Sequence, residues 1–153
     1  MNIRQNHGMS MNRNVFFYGS FGCVLAGLLV SAYLTYLSIM PPTSCPVGDI
    51  GVFSCNSVIW SKYSHFYGVS VALLGLVWFI IAAGLLALAW RNGRLIRIVV
   101  AWSLLGAAGV VAFVYTEIFL LGSVCPLCTI AHLSGLAMLA LSILAMRRPL
   151  ETA

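Results

Sequence analysis

Four long uncharged, predominantly apolar stretches dominate the chain: Asn14 to Gly48, Tyr63 to Trp90, Ile98 to Thr116 and Ile118 to Met146. Each can hold the roughly 20 apolar residues that cross a hydrocarbon core as a helix. The pattern predicts spanning helices over about Val15–Met40, Tyr67–Trp90, Ile96–Leu121 and Pro126–Met146, with one substantial polar loop, residues 41–66, between the first two. The first stretch is too long for the apolar core of a signal peptide, and no small-residue cleavage site follows it before Pro41 and Pro42. It is expected to remain as an uncleaved helix. The reading is an all-α integral membrane protein: one domain, residues 1–153, folded as a four-transmembrane-helix bundle.

Composition agrees, with 61% hydrophobic and 7% charged residues against roughly 45–50% and 25% in soluble domains. The sparse charges also orient the spans. Arg4 and Arg13 precede the first, Arg91, Arg94 and Arg97 separate the second and third, and Arg147 and Arg148 follow the fourth. Lys62 alone lies on the other side. Because Lys and Arg in short loops stay cytoplasmic, both termini and the Arg91–Arg97 loop are expected there, in a multi-pass protein of the cell (inner or plasma) membrane. The 41–66 loop then faces the extracytoplasmic side. The net charge of +5 needs no nucleic-acid partner.

That topology gathers four of the five cysteines at one face. Cys45 and Cys55 lie in the polar loop, and Cys125-Pro126-Leu127-Cys128 opens the fourth span. Disulfides form and persist in such compartments, so two pairs beside an apolar interior suggest a path for electrons from an outside dithiol to an acceptor in the lipid. A CxxC at a helix start is a redox arrangement, since the unpaired amides of the first turn and the helix dipole favour a thiolate. Pro126 fits a first turn, where its missing N–H has no helical partner. A four-thiolate zinc site and a pair of structural disulfides are the alternatives. Cys125, Cys128 and His132 fall at i, i+3 and i+7 on one helical face. His132 can there hydrogen-bond a quinone carbonyl, or simply pack against a neighbouring helix. Cys23, among apolar neighbours in the first span, reads as a small buried hydrophobe.

Cys45, the run from Cys55-Asn56-Ser57 through Trp60-Ser61-Lys62-Tyr63-Ser64, Phe66-Tyr67-Gly68-Val69, Leu73-Leu74-Gly75 and Cys125-Pro126-Leu127-Cys128 together resemble the vitamin K epoxide reductase family over about the central two thirds of the chain. The resemblance implies a four-helix bundle around a quinone, capped by an outer loop containing a short half-helix. It implies a quinone-dependent thiol oxidoreductase, of the bacterial and archaeal type that reoxidises a thioredoxin-fold (DsbA-like) disulfide-forming protein. Cys45 and Cys55 would be the shuttle pair, with Cys45 meeting the partner, Cys55 exchanging with Cys125, and Cys128 facing the quinone. Ser61, Trp60, Phe66 and His132 would lie around the quinone, of ubiquinone, menaquinone or vitamin K type. Ser61 also reads as a cap of the half-helix. Two departures stand out. The nine residues Pro46 to Ser54 make a long interval between the loop cysteines, and His132 stands where vertebrate members carry tyrosine, which favours a plain quinone over the epoxide.

Since many bacterial relatives carry a fused thioredoxin-like domain and this chain ends at Ala153, the redox partner is expected in trans. The 41–66 loop is then expected to swing Cys55 toward Cys125. A DsbA-like partner poised near about −120 mV can be reoxidised only by a high-potential acceptor, which a lipid quinone is. A lumenal vitamin K reductase and a non-enzymatic protein with structural thiols or zinc are the other classes. Glu117, about one turn from the outer end of the third span, is either a proton relay or a hydrated surface acid. His65 and the tryptophans other than Trp60 read as interface aromatics or bundle filling. Gly22 with Ala26, Gly106 with Gly109, and Ala131 with Gly135 read as close-packing positions.

Overall fold

The computed structural model describes residues 3–40 and 51–147. Its elements are α1 (Ile3–Ile39), α2 (Cys55–Ile59), a hairpin of β1 (His65–Phe66) and β2 (Val69–Ser70), α3 (Val71–Arg91), α4 (Ile96–Tyr115) and α5 (Pro126–Arg147). A 3₁₀ turn, Gly93–Leu95, leads into α4, and a π-helical turn, Thr116–Leu121, continues it. Four spans, Val15–Ile39, Val71–Arg91, Gly93–Leu121 and Pro126–Arg147, are long and apolar enough to cross a membrane. The protein is an all-α, multi-pass membrane bundle, and α2 is the short half-helix of its loop.

The helix ends follow local chemistry. Starting within polar sequence, α1 runs further toward the N-terminus than hydropathy alone predicts, and it stops at Ile39 ahead of Pro41 and Pro42, since a residue before proline is disfavoured in the helical region. The second span starts at Val71, four residues later than expected, because Tyr67 (φ 51°) and Gly68 (φ 82°) form the two-residue turn of the hairpin. Between α3 and α4, the Asn92 side chain accepts from the Arg94 amide at 3.3 Å. The π turn closes on Gly122 in the left-handed conformation, with the Gly122 and Ser123 amides both donating to the Glu117 carbonyl. Such a stop is natural for glycine.

The helices pack up and down, so the Arg91–Arg97 connection lies at one end and α2, the hairpin and the start of α5 at the other. Two buried clusters divide the interior. Phe17, Val24, Phe79, Leu86, Val99 and Met138 fill the arginine end, while Leu34, Cys55, Ile59 and Cys125 fill the cysteine end. Outward-facing apolar side chains such as Val111 and Phe119 are 70% and 71% exposed, which suits a surface solvated by lipid. With no hydrophobic force between helices in lipid, close backbone approach takes its place. A Cβ on Gly27 would lie 2.2 Å from the Phe79 ring, and one on Gly106 would lie 2.4 Å from Trp78. Of the glycines among the small-residue pairs read from sequence, Gly22 and Gly109 meet nothing within 4 Å, whereas Gly106 and, more loosely, Gly135 meet Trp78; Ala131 packs against the arginine-end cluster. The hydroxyls inside the spans satisfy themselves on their own helices, as Thr35 does on the Ser31 carbonyl at 2.7 Å and Ser142 on the Met138 carbonyl at 2.6 Å.

Replacing Gly27 by valine should lower stability by about 1–3 kcal/mol through overpacking against Phe79. Gly84→Ala, at a helix position where an added Cβ meets nothing, should raise it by up to about 1 kcal/mol. Thermal unfolding of the detergent-solubilised variants reads both.

Candidate functional site

The site begins with a backbone clamp. Val124, just ahead of α5, donates to the Val52 carbonyl at 2.9 Å and accepts from the Ser54 amide at 3.2 Å, making a parallel bridge between Phe53 and Val124. Each clamped residue is followed by a helix. Ser54 caps α2, its hydroxyl oxygen accepting from the Ser57 amide at 3.1 Å and pairing with the Ser57 hydroxyl at 2.8 Å. Cys125 precedes Pro126 of α5, and its carbonyl accepts from the Thr129 amide at 3.0 Å. The Cys125 sulfur takes the place of a capping oxygen, accepting from the Cys128 N–H at 3.3 Å.

The clamp brings Cys55 and Cys125 together, with sulfurs 3.2 Å apart and both residues fully buried. Thiolates sharing a tetrahedral zinc ion at about 2.3 Å would stand about 3.8 Å apart, so the contact suits exchange better than a shared metal. The Cys125 thiol is held far above its ordinary range, first by its hydrogen bond with the Cys128 side chain and then by burial; the Cys128 amide and the Cys55 contact act the other way. For Cys125 this overrides the thiolate-favouring effect expected of a helix start. Cys23 lies apart from these cysteines, half-buried in a shallow groove between α1 and α5. Cys45 falls outside the described residues, and with it the expected swing of the loop.

Below the cysteines a cavity of about 270 Å³ runs between α1, α3, α4 and α5. On α5 its wall includes Cys128, His132 and Gly135, a face about 10 Å long at 1.5 Å per residue. Cys125 is not in that wall; its sulfur turns to α2 instead. The His132 ring lies parallel to Phe113, with centroids 6.3 Å apart. Ser61 reaches the wall from the loop, and its hydroxyl donates to the Val58 carbonyl at 2.9 Å. It therefore closes the C-terminal end of α2, and the N-terminal cap is Ser54. Trp60 is 44% exposed and outside the wall. The Phe66 backbone pairs with Val69, and its side chain is outside the described residues.

Three contributors escaped the sequence reading. Tyr63 lines the cavity, and so does Trp78, whose indole N–H is buried without an acceptor. The Ser54 cap had a signal in Ser54-Cys55-Asn56-Ser57, a capping pattern with serine at its fourth position. Glu117 also lines the cavity and is only 5% exposed; the hydrated alternative fails because the π turn rotates it inward. An apolar wall, a few hydroxyls and an unsatisfied indole donor suit a flat ligand bearing carbonyl acceptors, as a quinone is.

The family model described as Vitamin K epoxide reductase family matches residues 18–143, which takes in the second and third spans, most of the first and fourth, α2 and both cysteine-bearing segments. No curated protein matches the chain.

At neutral pH the reduced protein should leave Cys125 unalkylated, with labelling rising only above the ordinary thiol range of about 8.5. Cys128→Ala removes the largest cause of the upward shift, so labelling should begin at lower pH. Mass spectrometry of alkylated peptides across a pH series measures this; identical onsets in the two proteins would contradict it.

Proposed function

The chain belongs to the vitamin K epoxide reductase family, whose members are membrane oxidoreductases coupling thiols to quinones, and on that footing we propose that it reoxidises a thioredoxin-fold, disulfide-forming partner and passes the electrons to a membrane quinone. The observation that carries this reading is the 3.2 Å contact between Cys55 and Cys125 beside Cys128 in the cavity wall. A buried sulfur pair excludes outside thiols, so a disulfide can pass inward only in a fixed order.

In that order Cys45 receives the partner's thiolate, and the Cys45–Cys55 disulfide becomes a dithiol as the partner's disulfide forms. The Cys55 thiolate then attacks Cys125 of a Cys125–Cys128 disulfide. A second exchange restores Cys45–Cys55 and leaves Cys125 and Cys128 as thiols. Each exchange breaks one S–S bond, forms another and moves two electrons. A bound quinone supplies the terminal two-electron, two-proton acceptor. Cys128 faces it from the first turn of α5. His132, one turn deeper, offers a ring N–H to one of its carbonyls, and the Trp78 indole offers a second donor. Ser61, already donating to Val58, holds the last turn of α2 against the cavity.

With both termini and the Arg91–Arg97 connection on the cytoplasmic side, the cysteine end opens to the oxidising compartment where such a partner works. The electron route needs no metal ligand set.

Purified protein mixed with a reduced thioredoxin-fold partner and a soluble quinone should form quinol. Cys55→Ala, Cys125→Ala and Cys128→Ala should each abolish turnover, and Cys23→Ala should leave it unchanged. His132→Phe should raise the quinone KM by roughly three- to tenfold, the worth of one hydrogen bond. Turnover that survives loss of Cys128 would sink the reading.

A further inference from the structure

Glu117 is the one acid within a span, and the cysteine relay leaves it without a task. Oxidising the Cys125/Cys128 dithiol breaks two S–H bonds, forms one S–S bond and releases two electrons and two protons, the same number that a quinone takes up in becoming a quinol. Electrons can pass through sulfur contacts, whereas each proton needs a group to carry it across an apolar site. Among the described residues, Glu117 and His132 are the only cavity-wall groups with ordinary titration between about pH 4 and 7.

Four observations single out Glu117. It is buried to 5% exposure, where an ionised carboxylate is costly and a protonated one much less so. It stands on the π turn Thr116–Leu121, a distortion that recurs at functional positions. The Cys125 backbone amide lies beside its carboxyl, which places it at the start of the CxxC. It also shares the cavity wall with Cys128 and His132. The other titratable groups around it are Cys125 just ahead of α5, Cys128 and His132 on α5, and Tyr63 of the loop; among the described residues no lysine or arginine pairs with it.

We propose that Glu117 carries a proton between the Cys125/Cys128 thiols and the quinone cavity: its carboxylate takes a thiol proton as the S–S bond forms and gives it up on the cavity side. This rests on the oxidase reading above. The second proton is left to His132, whose ring stands on the opposite side of Cys128 along α5.

Glu117→Gln keeps the size of the side chain and an oxygen beside the Cys125 amide and removes the proton-carrying group. It should slow quinol formation at least tenfold, within the range of about 10²–10⁴ usual for a lost acid–base group. Thiol exchange with a reduced partner in the absence of quinone should proceed at the wild-type rate. Glu117→Asp should recover more of the quinol rate than the glutamine variant. A spectroscopic readout needs neither turnover nor quinone. Reducing the wild-type protein with a dithiol should change the infrared C=O band of a protonated carboxyl, and Glu117→Gln should lack that change. The chain's other two acids, Asp49 and Glu151, stand in polar segments.

Wild-type quinol rates in Glu117→Gln, an equal slowing of exchange and quinol formation, or a wild-type carboxyl band indifferent to thiol reduction would each overturn the proposal. Wild-type protein that exchanges thiols yet never forms quinol would instead overturn the oxidase reading, and the proton path with it.

Discussion

Everything at the cysteine end depends on two backbone hydrogen bonds, from Val124 to Val52 and from Ser54 to Val124. They join segments some seventy residues apart and set Cys55 opposite Cys125. A strand slipped by one residue moves about 3.3 Å and turns its side chains to the other face, which would break a sulfur contact of 3.2 Å. Beside an apolar interior such a slip also leaves backbone groups unpaired at a cost of several kcal/mol. The clamp is therefore an all-or-none determinant of whether the two cysteines meet.

Its consequences run into both helices that follow. Ser54 and Cys125 occupy corresponding positions, each just before a helix and each with a side-chain atom accepting from an amide three residues on. At α2 that atom is an oxygen with a purely architectural task. At α5 it is a sulfur, and two physical demands compete there. The amide acceptor role favours a thiolate, while the Cys128 hydrogen bond and burial favour a thiol. The balance lies on the side of the thiol. In the proposed relay the protons need carriers at hand, and Glu117 and His132 border the same cavity as Cys128.

The cavity itself depends on how little side chain the helices carry around Trp78. Gly106 admits the indole where a Cβ would collide, and Gly135 leaves it ordinary van der Waals room. The Trp102 indole lies parallel to Trp78 with centroids 6.2 Å apart and donates to its carbonyl at 3.3 Å. That arrangement makes a firm floor. Gly109, three residues beyond Gly106, faces open space in the cavity wall. Two glycines on one helix face thus serve opposite purposes, one closing a contact and the other keeping a space.

The sequence alone determined the four spans, because hydropathy and scarcity of charge are local properties and a bilayer judges each segment by them. It also determined that CxxC opens a helix and that His132 lies on the Cys128 face, since helical spacing places residues seven or fewer apart without reference to the rest of the fold. The hairpin that delays α3, the π turn that turns Glu117 inward, the exclusion of Trp60 from the cavity and the meeting of Cys55 with Cys125 were decided only in the tertiary structure. Each depends on where a distant segment packs: the clamp to Val124 orients α2, and the closure on Gly122 sets the rotation of the π turn. Spacing along a chain fixes neighbours on one element, whereas contact between elements is chosen by the packing of all of them together.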